Sequence, residues 1–437
     1  MGTMRQLAGK SIALITAIVI GLGSIVPSQV IASDLGKKSD RERGHSVQLG
    51  PRPQYLVNDM EEGALKEELQ ACLDKKPKRT LFSIGHRGAP MQFPEHTRES
   101  YEAGYRMGAG ILECDVTFTR DKELVCRHAQ NDLATTTNIL LTDLADTCVK
   151  PFTPAVIADD GSLVSPASAE CRTSEITLTE FRSLRGKMDA FNPRAQTPEE
   201  FVDGTADWRT DLYSGPDSGT LMTHAESIAL FRKLGVKMTP ELKAPSVEMP
   251  FDGFTQEDFA RKMIDEYRAA GVPARDVYPQ SFNRDDVLYW IDNDPAFGRQ
   301  AVYLEDAGSP GELPDLAELN EDRASGINIV APPIFALLAL DADNNLVPSE
   351  YAENLKESGF GIIAWSLERS GMLADGDNGF YYQTIDEAIS REGDVMEVID
   401  TLARDVGVSG IFSDWPATVS FYASCVKPSR NRTHRRR

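Results

Sequence analysis

Residues 110–117 read Gly-Ile-Leu-Glu-Cys-Asp-Val-Thr, a strand-forming run with two carboxylates at its centre. Side chains alternate across an extended chain, so Glu113 and Asp115 share one face and Cys114 takes the other. Ile111, Leu112, Val116 and Phe118 mark the strand as buried. Two carboxylates on one buried face repel each other unless a shared proton or a cation lies between them. A divalent ion with oxygen ligands removes the conflict. The run therefore reads as a strand lining the interior of a closed sheet, with its acidic face turned inward.

Working outward, short β-branched runs alternate with amphipathic stretches. Strand candidates lie at 81–86, 110–117, 124–128, 236–243, 277–282, 300–304, 327–330, 361–366 and 410–412. Helical patterns fall at 98–107, 224–234, 256–270, 284–293, 351–358 and 393–406. About eight such units predict a parallel sheet closed as a TIM-type (β/α)8 barrel. The rhythm breaks over 129–176, which has no sustained periodicity; a structureless stretch of that length is expected to be functional. It reads as a loop-rich insertion after the third strand, covering the mouth of the barrel.

The N-terminus predicts export. Arg5 and Lys10 precede a nearly unbroken apolar run from Ile12 to Val26, and Val30-Ile31-Ala32 offers a cut after Ala32. The run is shorter than the roughly 20 residues a spanning helix needs, which fits a signal peptide at 1–32 and no stable membrane insertion after cleavage. Residues 33–60 read as a linker, 61–425 as the barrel and 426–437 as a basic tail. Export implies a periplasmic or secreted protein in which the six cysteines form disulfides. Six thiols allow fifteen complete pairings. Cys148 with Cys171, flanking one insertion, and Cys72 with Cys425, at the two ends of the barrel, are the favoured pairs. A net charge of −21 argues against nucleic acid and against direct adhesion to anionic lipid.

Barrel active sites lie at the carboxyl ends of the strands. The first strand ends in His86-Arg87-Gly88 and the third in His128, giving two imidazoles suited to moving protons near neutral pH. Glu241 and Lys243, two residues apart on a later strand, also share a face. Glu241 completes a three-carboxylate set with Glu113 and Asp115, and Lys243 offers a point charge to a phosphate oxygen. Cutting a phosphodiester requires such a set: charge neutralisation, a base for the nucleophile and an acid for the leaving alkoxide.

With those residues in place, the chain resembles the glycerophosphodiester phosphodiesterase family. The likeness lies in His86-Arg87-Gly88, Pro94-Glu95-His96-Thr97, Gly108 through Leu112-Glu113-Cys114-Asp115-Val116, and Leu124-Val125 to His128. It continues through Glu241-Leu242-Lys243, Ser281-Phe282, Trp365 and Ser413-Asp414-Trp415-Pro416. The resemblance implies one divalent cation, Ca2+ or Mg2+, on Glu113, Asp115 and Glu241. It also implies acid–base work by His86 and His128, phosphate contacts from Arg87 and Lys243, and Trp365 against the substrate. The implied substrate is a small glycerophosphodiester, attacked by its own glycerol hydroxyl through a cyclic phosphate to give sn-glycerol 3-phosphate and an alcohol. Glu95 and His96 are expected to shape the first loop rather than react.

The sequence departs from the family where Ala129 follows His128, with Asp132 further on, and in Trp365-Ser366-Leu367-Glu368. Both changes touch the pocket wall. An alternative on the same barrel is lysophospholipase D or sphingomyelinase D-like activity, which needs an acyl groove; Phe152, Ile157, Ile334, Phe335, Leu337 and Leu338 are its candidate lining. A non-catalytic binding barrel is the other alternative, and the retention of all five reacting and ligating groups speaks against it.

Overall fold

The computed structural model describes residues 46–215, 218–376 and 378–426. Nine strands in chain order build the main sheet: β1 (Thr80–Gly85), β2 (Ala109–Phe118), β3 (Leu124–Cys126), β4 (Lys237–Leu242), β5 (Gln280–Ser281), β6 (Val302–Leu304), β7 (Ile329–Ala331), β8 (Gly361–Leu367) and β9 (Gly410–Ser413). Eight of them are parallel and close on themselves in the order β1-β9-β8-β7-β6-β5-β4-β2, with β2 returning to pair with β1. This is the (β/α)8 barrel that the alternation predicts.

β3 is not one of the eight. It runs antiparallel to β2, with Val116 opposite Cys126 and Phe118 opposite Leu124. The reason is the length of the turn. A parallel return needs a crossover of a dozen residues or more, whereas Thr119 to Glu123 makes a tight reversal with Lys122 at φ 63° and Thr119 N–H donating to the Glu123 carbonyl. The third strand of the sequence reading is thus a hairpin arm that carries His128 away from β2.

Strand parity sorts the core into two layers. Ile84, Ile111, Val302, Leu304, Ala331, Ile363 and Phe412 fill the interior. Cys114, Val116, Met238, Leu242, Met263 and Trp290 pack between strands and helices. Helix signals act where they stand in the sequence: Thr97 caps Arg98–Arg106, and a Thr223–Glu226 capping box opens His224–Leu234, which ends on Gly235 at φ 71°.

Two expectations change. The insertion reaches past residue 176, because Phe181, Leu184, Ala195, Phe201 and Leu221 join Leu133, Ile139 and Cys171 in one separate apolar cluster. It is also less structureless than its sequence suggests, holding two small hairpins and several short helices. The stretch read as a linker includes a helix, Arg52–Asp59, with Pro53, Leu56 and Val57 buried and Asp59 accepting from the Gly393 N–H at 2.9 Å. The signal segment and the basic tail from Arg430 onward lie outside the described residues. Among the described residues no helix is long and apolar enough to cross a membrane.

All six cysteines pair, as Cys72–Cys425, Cys114–Cys126 and Cys148–Cys171. The second bond fastens the β3 hairpin arm to the outward face of β2, the face opposite Glu113 and Asp115.

Candidate active site

The alternation that puts Ile84, Ile111, Ile363 and Phe412 inside the barrel places His86, Glu113, Trp365 and Asp414 two residues further along, at the carboxyl-end mouth. The acidic centre follows from register. Asp115 stands opposite Glu241 across β2 and β4, and Glu241 stands opposite Gln280 across β4 and β5. Glu113, Asp115 and Glu241 are all buried, and each offers a ligand oxygen within 4.8 Å of the others.

Neighbouring groups compensate these charges only in part. Glu113 accepts from the Arg87 N–H at 2.9 Å and from Gln280 Nε2 at 2.8 Å. Burial, then Asp115 and Glu241, still push it well above the usual carboxylate range. Burial likewise raises Glu241 to about 7 despite Lys243 Nζ at 2.5 Å. Burial opposes ionisation of Asp115 too, but His96, Lys243 and Arg87 hold it below its ordinary value. His96 Nε2 lies 2.9 Å from Asp115 Oδ2, while Asp115 Oδ1 is buried with no partner. Crowded, protonation-prone carboxylates with an open oxygen are the donor set that a hard divalent cation fits.

The His86-Arg87-Gly88 turn has a backbone reason for its sequence. Arg87 sits at φ 53° and Gly88 at φ 99°, and a Cβ on Gly88 would run into Ser100. Ser100 Oγ ties the turn by donating to the Arg87 carbonyl and accepting from the Ala89 N–H. The left-handed Arg87 aims its own N–H at Glu113 and its guanidinium at Glu95 Oε2, 2.9 Å away.

His86 Nδ1 lies 2.6 Å from Asp414 Oδ1. Asp414 is wholly buried, and although burial works against its charge, Arg369, His86 and Arg209 hold it at about 2. An ionised partner on Nδ1 fixes the proton there and leaves the Nε2 lone pair free, 3.9 Å from Glu113 Oε2. Burial brings His86 down to about 4, with Asp414 pulling the other way. Arg369 Nε reaches Asp414 Oδ2 at 3.0 Å and Arg209 Nη2 reaches the same oxygen at 3.3 Å. His128, half-buried on the hairpin arm, is held well below its ordinary value by burial and then by Arg87 and Lys243.

The structure therefore gathers His86, Arg87, Glu113, Asp115, His128, Glu241 and Lys243 at one mouth. Lys243 is tied to Glu241, so engaging a phosphate requires it to share or leave that contact. Trp365 is fixed by Nε1 donating to the Ala331 carbonyl at 2.7 Å, and its ring meets Phe282, Phe380 and Tyr381 in an aromatic wall. The proposed acyl-groove lining does not assemble. Ile334, Phe335, Leu337 and Leu338 are core residues, whereas Phe152 and Ile157 lie on the insertion's hairpins.

Four participants escaped the sequence reading. Asp414 carried a signal, since it continues the inward parity of Phe412, but it received no role. Gln280 had the same kind of signal on β5. Arg369 and Arg209 lie on irregular chain, where no periodicity says which way a side chain turns.

The family model of the glycerophosphoryl diester phosphodiesterase family matches residues 86–418, so the chain belongs to that family. The family defines its class of enzyme, the glycerophosphodiester phosphodiesterases. A relative from Arthroderma benhamiae, called an extracellular protein, is 49% identical over 245 residues, covering 54% of this chain and 99% of that one. A glycerophosphodiester phosphodiesterase of Arabidopsis thaliana is 22% identical over 362 residues, covering 79% of this chain but 43% of that longer protein. A crystal structure from Silicibacter pomeroyi, named for the same family, superposes with a TM-score of 0.51 at 16% identity, covering 82% of this chain and 98% of that one; it supports the barrel fold.

Proposed function

We propose that the protein hydrolyses small glycerophosphodiesters to sn-glycerol 3-phosphate and an alcohol, using His86 and His128 for proton transfer and one divalent cation, Ca2+ or Mg2+, held by Glu113, Asp115 and Glu241. The observation that carries this reading is the His86–Asp414 pair beside the buried carboxylate trio. It puts an uncharged, oriented imidazole next to a buried all-carboxylate cluster that calls for a cation.

When bound, the cation neutralises charge on the phosphoryl oxygens. The chain's own groups do the rest. Arg87 and Lys243 hold the anionic diester. His86 Nε2 takes the proton of the attacking hydroxyl, with Asp414 stabilising the imidazolium that results. His128 gives a proton to the departing alkoxide, leaving the cyclic phosphate. A water, deprotonated by His128 as His86 returns its proton to the glycerol oxygen, then opens the ring to sn-glycerol 3-phosphate. A diester held between Arg87 and Lys243 offsets the two cations that depress His128, which makes its protonated form accessible when substrate is bound. Trp365 and its aromatic neighbours line the space beside the phosphate.

Export of the mature chain belongs to the same reading. It is supported by the N-terminal sequence, by three disulfides of a kind that persists in oxidising compartments, and by the extracellular naming of the Arthroderma relative.

The test is glycerophosphocholine turnover by His86→Ala and His128→Ala. Each is expected to lose about 10²–10⁴-fold in kcat with the fold intact. Folded variants that both retain near-normal rates refute the assignment.

A further inference from the structure

We propose that Glu95, His128 and Asp132 form a second cation site, suited to a borderline first-row ion such as Zn2+, whose occupancy stops turnover by removing His128 from proton transfer. The inhibitory half rests on the role proposed above for His128; the site itself does not.

One ligand atom from each of the three residues lies within 4.8 Å of the others. Glu95 is 1% exposed. Arg87 and Arg369 both hold its Oε2, which leaves Oε1 buried with no partner on a carboxylate that supplies one of the three ligand atoms. A buried carboxylate oxygen is rarely left in that state without a ligand to meet it. Asp132 is positioned from its own side, with Oδ2 accepting from the Ala129 N–H at 3.0 Å and Oδ1 from Thr136 Oγ1 at 3.2 Å. His128 and Asp132 are half-buried, so an ion can enter from solvent.

The local sequence explains the cluster. Ala129 takes the position directly after the histidine. The carboxylate comes instead from Asp132, at the start of the short helix Leu133–Thr136, which folds it back toward the imidazole.

The two carboxylate clusters differ in chemistry. Glu113, Asp115 and Glu241 offer oxygen only, which suits Ca2+ or Mg2+. The second cluster adds an imidazole nitrogen, which shifts preference to Zn2+ and its neighbours. Arg87 and Arg369 fix the Glu95 carboxylate from behind, as outer partners of metal ligands do. Their positive charge also opposes a dication and keeps affinity below that of a structural zinc site. An imidazole whose lone pair is on a metal can neither accept nor deliver a proton, so binding and catalysis compete for His128.

The experiment saturates the protein with Mg2+, then titrates Zn2+ by calorimetry and, in parallel, follows glycerophosphocholine turnover. One Zn2+ per chain should bind, with inhibition half-complete at the same free concentration. Asp132→Asn keeps an acceptor for the Ala129 N–H but loses the anionic ligand. It should weaken Zn2+ binding by at least about tenfold and shift inhibition, measured against its own zinc-free rate, by the same factor. Glu113→Gln should leave Zn2+ binding in place. Wild-type zinc affinity in Asp132→Asn, or zinc displaced competitively by Mg2+, would place the ion on the other carboxylates and overturn the proposal. Zinc bound through Asp132 without slowing turnover would overturn the inhibitory role, and with it the role given to His128, while leaving the site standing.

Discussion

Replacing Asp414 by asparagine should remove most turnover while leaving substrate and cation binding nearly untouched. In the native site the 2.6 Å contact to Oδ1 keeps the proton on His86 Nδ1. An asparagine can present its amide N–H instead, which moves the ring proton to Nε2 and turns the basic lone pair away from the reacting hydroxyl. It also withdraws the charge that stabilises the imidazolium. Losing a general base costs about 10²–10⁴-fold, equivalent to roughly 3–5 kcal/mol at 1.36 kcal/mol per factor of ten. The substitution leaves Arg369 and Arg209 short of one anion, but Glu95 Oε2 at 3.4 Å and Asp189 Oδ2 at 3.6 Å remain to them, so the folded state should survive. The assay is steady-state glycerophosphocholine hydrolysis on variant protein whose fold is verified by circular dichroism. A kcat reduced at least a hundredfold with KM changed less than severalfold is the expected split. A folded Asp414→Asn enzyme within threefold of wild-type kcat would refute the orientation argument.

Glu113→Gln and Asp115→Asn should each weaken Ca2+ or Mg2+ binding before anything else, read by calorimetry; unchanged affinity would place the cation elsewhere. Removing the Cys72–Cys425 disulfide, which closes a separation of 353 residues, should cost about 6 kcal/mol of unfolding free energy on the chain-entropy relation, against about 3 kcal/mol for Cys114–Cys126 with a separation of 12. Denaturant melts of the two serine double variants compare them, and equal losses would refute the chain-entropy account. His96→Ala should strip Asp115 of its 2.9 Å partner and free that carboxylate to rise toward its ordinary range, weakening cation affinity at acidic more than at neutral pH; a pH-independent affinity loss would contradict this.

The parts of the site that lie on regular strands were legible in the sequence. Glu113, Asp115 and Glu241 follow from two-residue parity on buried runs, and His86 and His128 from their places at strand ends; the resemblance to a family then supplied the same set of five together. What sequence parity could not supply was direction. Leu124–Cys126 has the composition of a barrel strand, and only the brevity of the turn before it makes it antiparallel. Arg52–Asp59 was hidden because it is short, polar and starts beside a proline, so its helical character depends on packing against the rest of the chain. Arg209 and Arg369 reach Asp414 from irregular segments, and their convergence is a property of tertiary structure alone. The insertion's core was missed for a related reason. Its apolar residues are spaced without a single period, because several short helices and hairpins share the burial.

The central claim is cation-dependent hydrolysis of a glycerophosphodiester at this mouth. The most direct test is release of glycerol 3-phosphate from glycerophosphocholine by the mature protein, stripped with EDTA until no bound metal remains and then supplied with Ca2+ or Mg2+. The account predicts release that falls to background on stripping and returns with one of the two ions. Full-rate release from metal-free protein would contradict the role of Glu113, Asp115 and Glu241, and no release from folded, metal-loaded protein would contradict the substrate.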